Sequence, residues 1–311
     1  MIKLGTIQID TDGLWVIFQH FGHHYNNIVD PMFESSIPRF LDLFDSYQIK
    51  ATFFVVGKDL LFPVRRKLLK DIVNRGHEIA NHTMNHAEGF SFLSFDKKVK
   101  EIEEAEHIIK NELGVITKGF RTPSNDVDIE VLGILEDRGY VYDSSLLPTY
   151  YASLIKTLKF VSLKIPQKNH YLGKFSHGLA PLFPYHPSSE AIWKKGVMKI
   201  IEVPITTMPL LRLPFHASFT FAAYHLGLGS MLFDMGYNLL KITPLPLNTV
   251  FHTNELSDPI CDHAIRRQFG LNLPLKIKQK ICSHILRAIT KDFKFSTSLE
   301  YATLLDTNIT R

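Results

Sequence analysis

Four times in its first 145 residues the chain repeats one phrase: a short apolar run, then a stretch with apolar residues at helical spacing. "TIQID" precedes "FESSIPRFLDLFDSYQI", where Ile37, Phe40, Leu41 and Phe44 share a helix face. "KATFFVVG" is a continuous apolar run closed by Gly57, as expected of a strand buried on both faces, and "PVRRKLLKDIVNRG" follows as an amphipathic helix stopped by Gly76. "HEIANHT" leads to "SFDKKVKEIEEAEHIIKNELG", a long helix with Ser94 at its N-cap position and Gly114 at its end. "TKGFRTP", "DIEVLGILEDRG" and "YVYDSS" keep the rhythm. Strand–helix repeats at such short intervals predict a parallel sheet, open or curled into a barrel. The chemically capable residues obey one rule: Asp10, Asp12, His82, His86, Arg121 and Asp143 all fall at carboxyl ends of strands, where barrel active sites gather.

Beyond residue 150 the rhythm breaks into Pro-, Tyr- and His-rich segments that read as long loops. Strands resume at "VMKIIEVPI" and "NTVFHTNEL", and helices close the chain. No internal repeat or low-complexity tract interrupts it. We therefore expect one domain over residues 1–311, with insertions at about 150–196 and 209–240 and C-terminal helices within 257–311 packed on the barrel. A net charge of +4 is too weak for a nucleic-acid binder, yet it suits an anionic substrate or a membrane face. Two cysteines, Cys261 and Cys282, offer no disulfide framework. The N-terminus reads as a strand rather than a signal peptide, so the expected location is the cytoplasm. The apolar stretch 218–240 is long enough to span a bilayer, but His225, Asp234 and several glycines and serines interrupt it. Buried helices are the expectation there, with a membrane-surface segment as the alternative.

His82 and His86 stand four apart, a spacing that places two side chains on one helix face but does not by itself make a metal clip. The pair becomes informative beside "IDTDG". Asp10 and Asp12, two apart at a strand end, point to the same side roughly 6–7 Å apart, and two such carboxylates repel unless a cation or a split proton state relieves them. One of them with His82 and His86 gives a His₂-carboxylate set that leaves positions for water. The other is then free to take a proton from that water. Arg121 can hold the base ionised by its permanent charge, and His252, after a late strand, can protonate a leaving amine.

These segments, "IDTDG", "NHTMNH", "RTP", "YDSS" and "VFH", occur in the order and approximate spacing of the polysaccharide deacetylase family (NodB homology, carbohydrate esterase type), in its D-x-D subset. The resemblance covers residues 5–145 closely and 200–305 more loosely. It implies a distorted (β/α) barrel of about seven parallel strands and a hydrolase that removes N-acyl groups from amino sugars. By the same resemblance Asp10 is the catalytic base, and Asp12, His82 and His86 are the metal ligands. Arg121 orients the base and His252 is the general acid. One divalent ion is implied, zinc first, with cobalt, nickel, manganese or iron as alternatives. Thr122, Pro123 and Asp143 are expected to contact substrate, as are Arg212 and His216 in the later apolar-plus-basic segment, with the Thr122 backbone a candidate oxyanion donor.

Three departures stand out. A Thr separates the two aspartates, Val250 replaces a leucine in the last motif, and the tryptophan-bearing fourth motif is missing, with Asp143 only a partial stand-in. The partner of His252 is thus left open, Glu255 being one candidate. The apolar-plus-basic run "EVPITTMPLLRLPFHASFTF" would suit a lipid-phosphate-linked sugar at the cytoplasmic membrane face, as for family members acting on polyprenyl carriers. Rival readings are an allantoinase-like amidohydrolase of a small amide and a catalytically dead binding module on the same scaffold. Oligomeric state is not legible. Among the remaining histidines, His77 is expected to cap or pack, and His23, His24, His170, His177, His186, His263 and His284 to face solvent.

Overall fold

The alternation of apolar runs and amphipathic stretches becomes a curled sheet in which all named strands run parallel. The computed structural model describes residues 3–25, 27–163 and 173–309; His170 and the rest of 164–172 lie outside them. In chain order, β1 (Lys3–Asp10) leads into α1 (Leu14–His20) and α2 (Pro31–Ser46), and β2 (Thr52–Val55) into α3 (Pro63–Asn74). β3 (Glu78–Asn81) leads into α4 (Phe95–Leu113), and β4 (Gly119–Phe120) into α5 (Ile129–Asp137). Next come β5 (Tyr142–Asp143), α6 (Ala152–Leu163), β6 (Ile201–Glu202), α7 (Ala217–His225) and α8 (Met231–Lys241). The chain closes with β7 (Leu247–His252), α9 (Leu275–Ile289), β8 (Phe293–Ser296) and α10 (Ser298–Ile309).

Local chemistry explains these boundaries. α2 begins where the Asp30 carboxylate accepts the Phe33 N–H at 2.9 Å and Pro31 supplies a first-turn residue that needs no donor. Its buried face, Phe33, Ile37, Phe40, Leu41 and Phe44, is the stripe that the spacing predicts. α4 stops at Gly114, whose φ of +71° is the left-handed conformation that glycine adopts without a Cβ clash. Ser94 does occupy the N-cap of α4, but its side chain makes no capping bond.

The strand order is β6-β5-β4-β3-β2-β1-β7, and β8 pairs with the first half of β1. Because β2 is only four residues long, β1 is flanked on that edge by β8 over Lys3–Thr6 and by β2 over Gln8–Asp10. The curl is stitched across its seam by the Thr206 N–H, which donates to the Asn248 carbonyl at 3.0 Å, and by the Asn248 amide, which donates to Pro204 at 3.0 Å. The expected seven-stranded barrel architecture is therefore present, with β8 as an eighth strand that the sequence reading missed.

Two expectations about the irregular half change. Residues 150–200 are not loops throughout, since α6 occupies Ala152–Leu163. The apolar stretch 218–240 folds as α7 and α8, the latter burying Phe233, Gly236, Tyr237 and Leu240. A Cβ on Gly236 would lie 2.7 Å from the Met208 and Phe215 side chains, so only glycine allows this close approach. Among the described residues no helix is long and apolar enough to cross a membrane.

Candidate active site

β3 ends at Asn81, and the chain then turns sharply instead of continuing into a helix. Asn81 Oδ1 accepts the Thr83 N–H at 2.8 Å, and Thr83 Oγ1 accepts the His86 N–H at 3.1 Å. Thr83 and His86 both have positive φ, 66° and 48°. A β-branched residue in that region is strained, and such strain persists only where surrounding bonds over-determine it. The four-residue spacing of His82 and His86 thus belongs to a side-chain-braced turn, not to a helix. Its effect is to bring the two imidazoles to a centroid separation of 5.1 Å.

Asp12, just past the end of β1, completes the set. Its Oδ1 lies 3.6 Å from His82 Nε2 and 3.4 Å from His86 Nε2, and one ligand atom from each residue falls within 4.8 Å of the others. The Arg121 carbonyl sits 2.8 Å from His82 Nδ1, and because a carbonyl only accepts, Nδ1 carries the proton. The Nε2 lone pair therefore faces the carboxylate. Asp12 Oδ1 and His86 Nδ1 are buried without a hydrogen-bond partner. Burial would raise the Asp12 carboxyl, but His86 and His82 hold it well below the usual carboxylate range. Two imidazoles and an ionised carboxylate converging on one point are mutually satisfied by a cation, and the donor set fits a divalent one.

Asp10 ends β1 beside this cluster, in register with Phe54 on one side and His252 on the other. Its Oδ1 accepts Arg121 Nη1 at 2.6 Å, and its Oδ2 lies 3.6 Å from His252 Nε2. Arg121 is 1% exposed and uses its whole fork. Nε donates to the Ser144 carbonyl at 2.8 Å, Nη2 to Ser144 Oγ at 3.0 Å and to Gln8 Oε1, and the guanidinium lies 4.1 Å from the Phe54 ring centroid. Gln8 and Ser144 are supports that sequence reasoning missed. A signal existed: Gln8 is polar in an apolar strand and two residues before Asp10, hence on the same face.

On the far side of Asp10, His252 Nδ1 lies 2.8 Å from Ser218 Oγ, which donates to Glu255 Oε1 at 2.5 Å. Burial pulls the His252 imidazole down, but Glu255, Asp10 and Asp12 outweigh it and raise the pKa to about 9. His216 experiences the opposite field. Burial first, then the His252 and Arg121 cations, bring it down to about 3, so it is a neutral imidazole, and its buried Nδ1 has no partner.

The other expected contacts divide. Thr122 and Pro123 follow β4 beside Arg121, but the Thr122 N–H is already given to Ser145 Oγ at 2.8 Å and is not a free oxyanion donor. Its buried hydroxyl oxygen has no partner. Asp143 is fully buried, accepting from Ser145 Oγ at 2.6 Å and Ser145 N–H at 3.2 Å. Burial and then Asp143 push the Glu202 carboxyl well up, so the two share a proton. Asp143 therefore does not line the cleft; it locks the serine that holds the Thr122 backbone. Arg212 donates to the Ala180 carbonyl at 2.7 Å with its guanidinium 5.9 Å from the Tyr150 ring centroid, tying the segment before β6 to the one after it. His77 packs as expected, its Nδ1 accepting the Ala51 N–H at 3.0 Å between Phe44 and Phe53. His23, His24 and His263 are exposed. His177 is buried 6.2 Å from the Trp193 ring, and His186 and His284 are partly covered, bonded to the Met198 carbonyl and Asp234. These three correct the solvent-facing expectation.

A parallel half-barrel carrying a His₂-Asp cluster beside an Arg-held aspartate defines the class. Residues 25–142 match the family model for polysaccharide deacetylase, so this part of the chain is similar to that family. It is 34% identical over 102 residues to chitin deacetylase 1 of Cryptococcus neoformans var. grubii, covering 33% of this chain and 21% of that protein. Identity to a peptidoglycan-N-acetylglucosamine deacetylase of Bacillus cereus is 43% over 65 residues, or 20% and 28% of the two chains. The chain thus spans well under a third of these two relatives' lengths. In fold it is similar to a Mycobacterium smegmatis protein ascribed to the polysaccharide deacetylases, with a TM-score of 0.55, 15% identity, and 98% and 91% of the two chains covered. The Puue allantoinase shares the fold equally, at a TM-score of 0.55, 13% identity, and coverage of 96% and 88%.

Proposed function

We propose that the protein is a metal-dependent hydrolase that removes an N-acyl group, acetyl or formyl, from an amino sugar. The observation that carries this reading is the convergence of Asp12, His82 and His86 beside an aspartate held between Arg121 and His252. Asp12, His82 and His86 would hold one divalent ion, zinc being the first expectation for this donor set. Such an ion supplies Lewis acidity toward an acyl carbonyl and toward water. Asp10 accepts the proton of the attacking water. Arg121 occupies Asp10 Oδ1, so Oδ2 is the oxygen left to receive it. His252, cationic at neutral pH and facing Asp10 through Nε2, donates to the departing amine. His216, held neutral, adds no competing charge to the cleft.

The finer reading is a cell-envelope sugar, possessing a polyprenyl-phosphate tail, handled at the cytoplasmic membrane face. Two features support it. Between Asp143 and Glu190 there is no Asp or Glu. The segment bridged at Thr207 and Pro214 displays Leu210, 92% exposed, beside Leu211 and Arg212.

Acyl release from N-acetylglucosamine oligomers, with the protein metal-stripped and then reloaded, tests the reaction. Full activity after stripping removes the mechanism, and hydrolysis of allantoin-like amides alone replaces the sugar. Sedimentation with anionic vesicles tests the membrane contact, which is abandoned if the protein stays in the supernatant.

A further inference from the structure

We propose that Ser218, carried by the inserted helix α7, is the residue that positions His252, relaying its Nδ1–H to the Glu255 carboxylate. This rests on the reading of His252 as the proton donor.

The geometry leaves few alternatives. His252 Nδ1 and Glu255 Oε1 are 3.8 Å apart, beyond a hydrogen bond, and Ser218 Oγ stands between them at 2.8 and 2.5 Å. Glu255 is 1% exposed, and its other oxygen accepts the His252 backbone N–H at 3.2 Å, so the carboxylate is fixed on the strand that bears the histidine. A serine hydroxyl has one proton, and an ionised carboxylate can only accept. Ser218 must then donate to Glu255, which turns its lone pair toward Nδ1. Nδ1 is thereby the permanently protonated nitrogen, and Nε2, facing Asp10 Oδ2 at 3.6 Å, is the one free to give and take a proton. A hydroxyl held between the imidazole and a carboxylate in this way fixes the tautomer and ring orientation and passes part of the carboxylate charge to the ring.

The connection is long in sequence. His252 and Glu255 come from the end of β7 and the turn after it, whereas Ser218 lies 34 residues earlier, in the first turn of α7. Neither of its side-chain bonds serves its own helix. The insertion is thus part of the proton-transfer apparatus and supplies a link that the missing tryptophan-bearing motif leaves open.

The test uses the full chain, ¹⁵N-labelled at histidine, with His252 assigned by its loss in His252→Gln. Wild type should keep the proton on Nδ1 once the ring becomes neutral, read above its pKa of about 9. Ser218→Ala should mix the two tautomers and lower kcat on an N-acetylated oligomer about 10- to 100-fold with KM nearly unchanged, and Ser218→Thr should restore both. Because Asp10, Asp12, His216 and Glu255 also face His252, and Lys278 faces Glu255, the comparison is between variants and not against free histidine. An unchanged tautomer and kcat in Ser218→Ala overturns the relay. So does an equal loss in the Ala and Thr variants accompanied by an equal fall in melting temperature. If wild type hydrolyses no N-acyl substrate, the hydrolase reading fails, while the tautomer still decides the relay.

Discussion

Arg121→Lys is the most demanding perturbation of the site because it keeps the charge and removes the fork. Arg121 makes side-chain bonds to Asp10, Gln8, the Ser144 carbonyl and Ser144 Oγ from a fully buried position. A lysine ammonium reaching the same point has three donors on a tetrahedral head and cannot match the planar set. If it keeps the Asp10 contact, at least two buried acceptors, Gln8 Oε1 and the Ser144 carbonyl among them, are left unmatched. Each unsatisfied buried group costs about 1–3 kcal/mol, so two of them should cost the variant roughly 2–6 kcal/mol. That is a large part of the roughly 5–15 kcal/mol stability of a typical protein, yet it leaves a folded population. Urea unfolding at pH 7 measures it, and turnover per folded molecule should fall about 100-fold because Asp10 is no longer aimed. Arg121→Lys with wild-type midpoint and wild-type turnover would refute the view that Asp10 is held by geometry rather than by charge alone.

Asp10→Asn should retain one divalent ion per chain by elemental analysis while turnover falls at least about 100-fold; loss of the ion would move Asp10 into the ligand set. A divalent ion in hundred-fold excess over its Kd should stabilise the protein by about 2.7 kcal/mol, seen as a rise in melting temperature that chelator reverses and His82→Ala abolishes. Burial, then Lys50, lower the His77 imidazole to about 4. Its unfolded pKa near 6.5 lies above that value, so the unfolded chain binds the extra proton first, and stability present above pH 6.5 is lost as pH falls toward 4. Between pH 7 and 4.5 the loss from this group is about 2–3 kcal/mol, and His77→Gln should flatten the slope by that amount; an unchanged slope would refute it. Glu202→Gln should be nearly neutral because Glu202 already carries the proton of the Asp143 pair, whereas Asp143→Ala should cost about 2–4 kcal/mol by freeing Ser145 and Thr122. Equal costs in denaturant unfolding would place the shared proton on the wrong carboxyl.

The regular half of the fold was legible because a buried parallel strand and its covering helix write different periods into the sequence. Ile37, Phe40, Leu41 and Phe44 lie on the face the period predicts, and β2 is buried at all four positions. The irregular half was not legible. β8, "FKFS", hides between Lys291, Asp292 and the helix-like tail because one of its faces is half open, so only alternate residues are apolar. α6 was obscured by the Tyr- and Pro-rich residues around it, whose turn signals outweigh the short run of helix formers.

The site divides along the same physical line. Residues that meet because they sit at the ends of neighbouring parallel strands could be assembled from order alone, as with Asp10 and His252, which are register partners. Asp143 obeyed that rule and still misled. A carboxylate two residues into a short strand has the address of a cleft residue, but Glu202 on the neighbouring strand is its register partner and takes it into the interior. Ser218 was hidden for the opposite reason, although Glu255 was already a candidate partner of His252 from the sequence. Their meeting depends on where an inserted helix lands, and no period or motif encodes the docking of a serine 34 residues from its histidine. The residues that hold a catalytic side chain in place are chosen by packing. The sequence signal they leave is a single polar side chain at the margin of an apolar element, such as Gln8 within β1 or Ser218 at the head of α7, and it acquires meaning only when the neighbouring element is known.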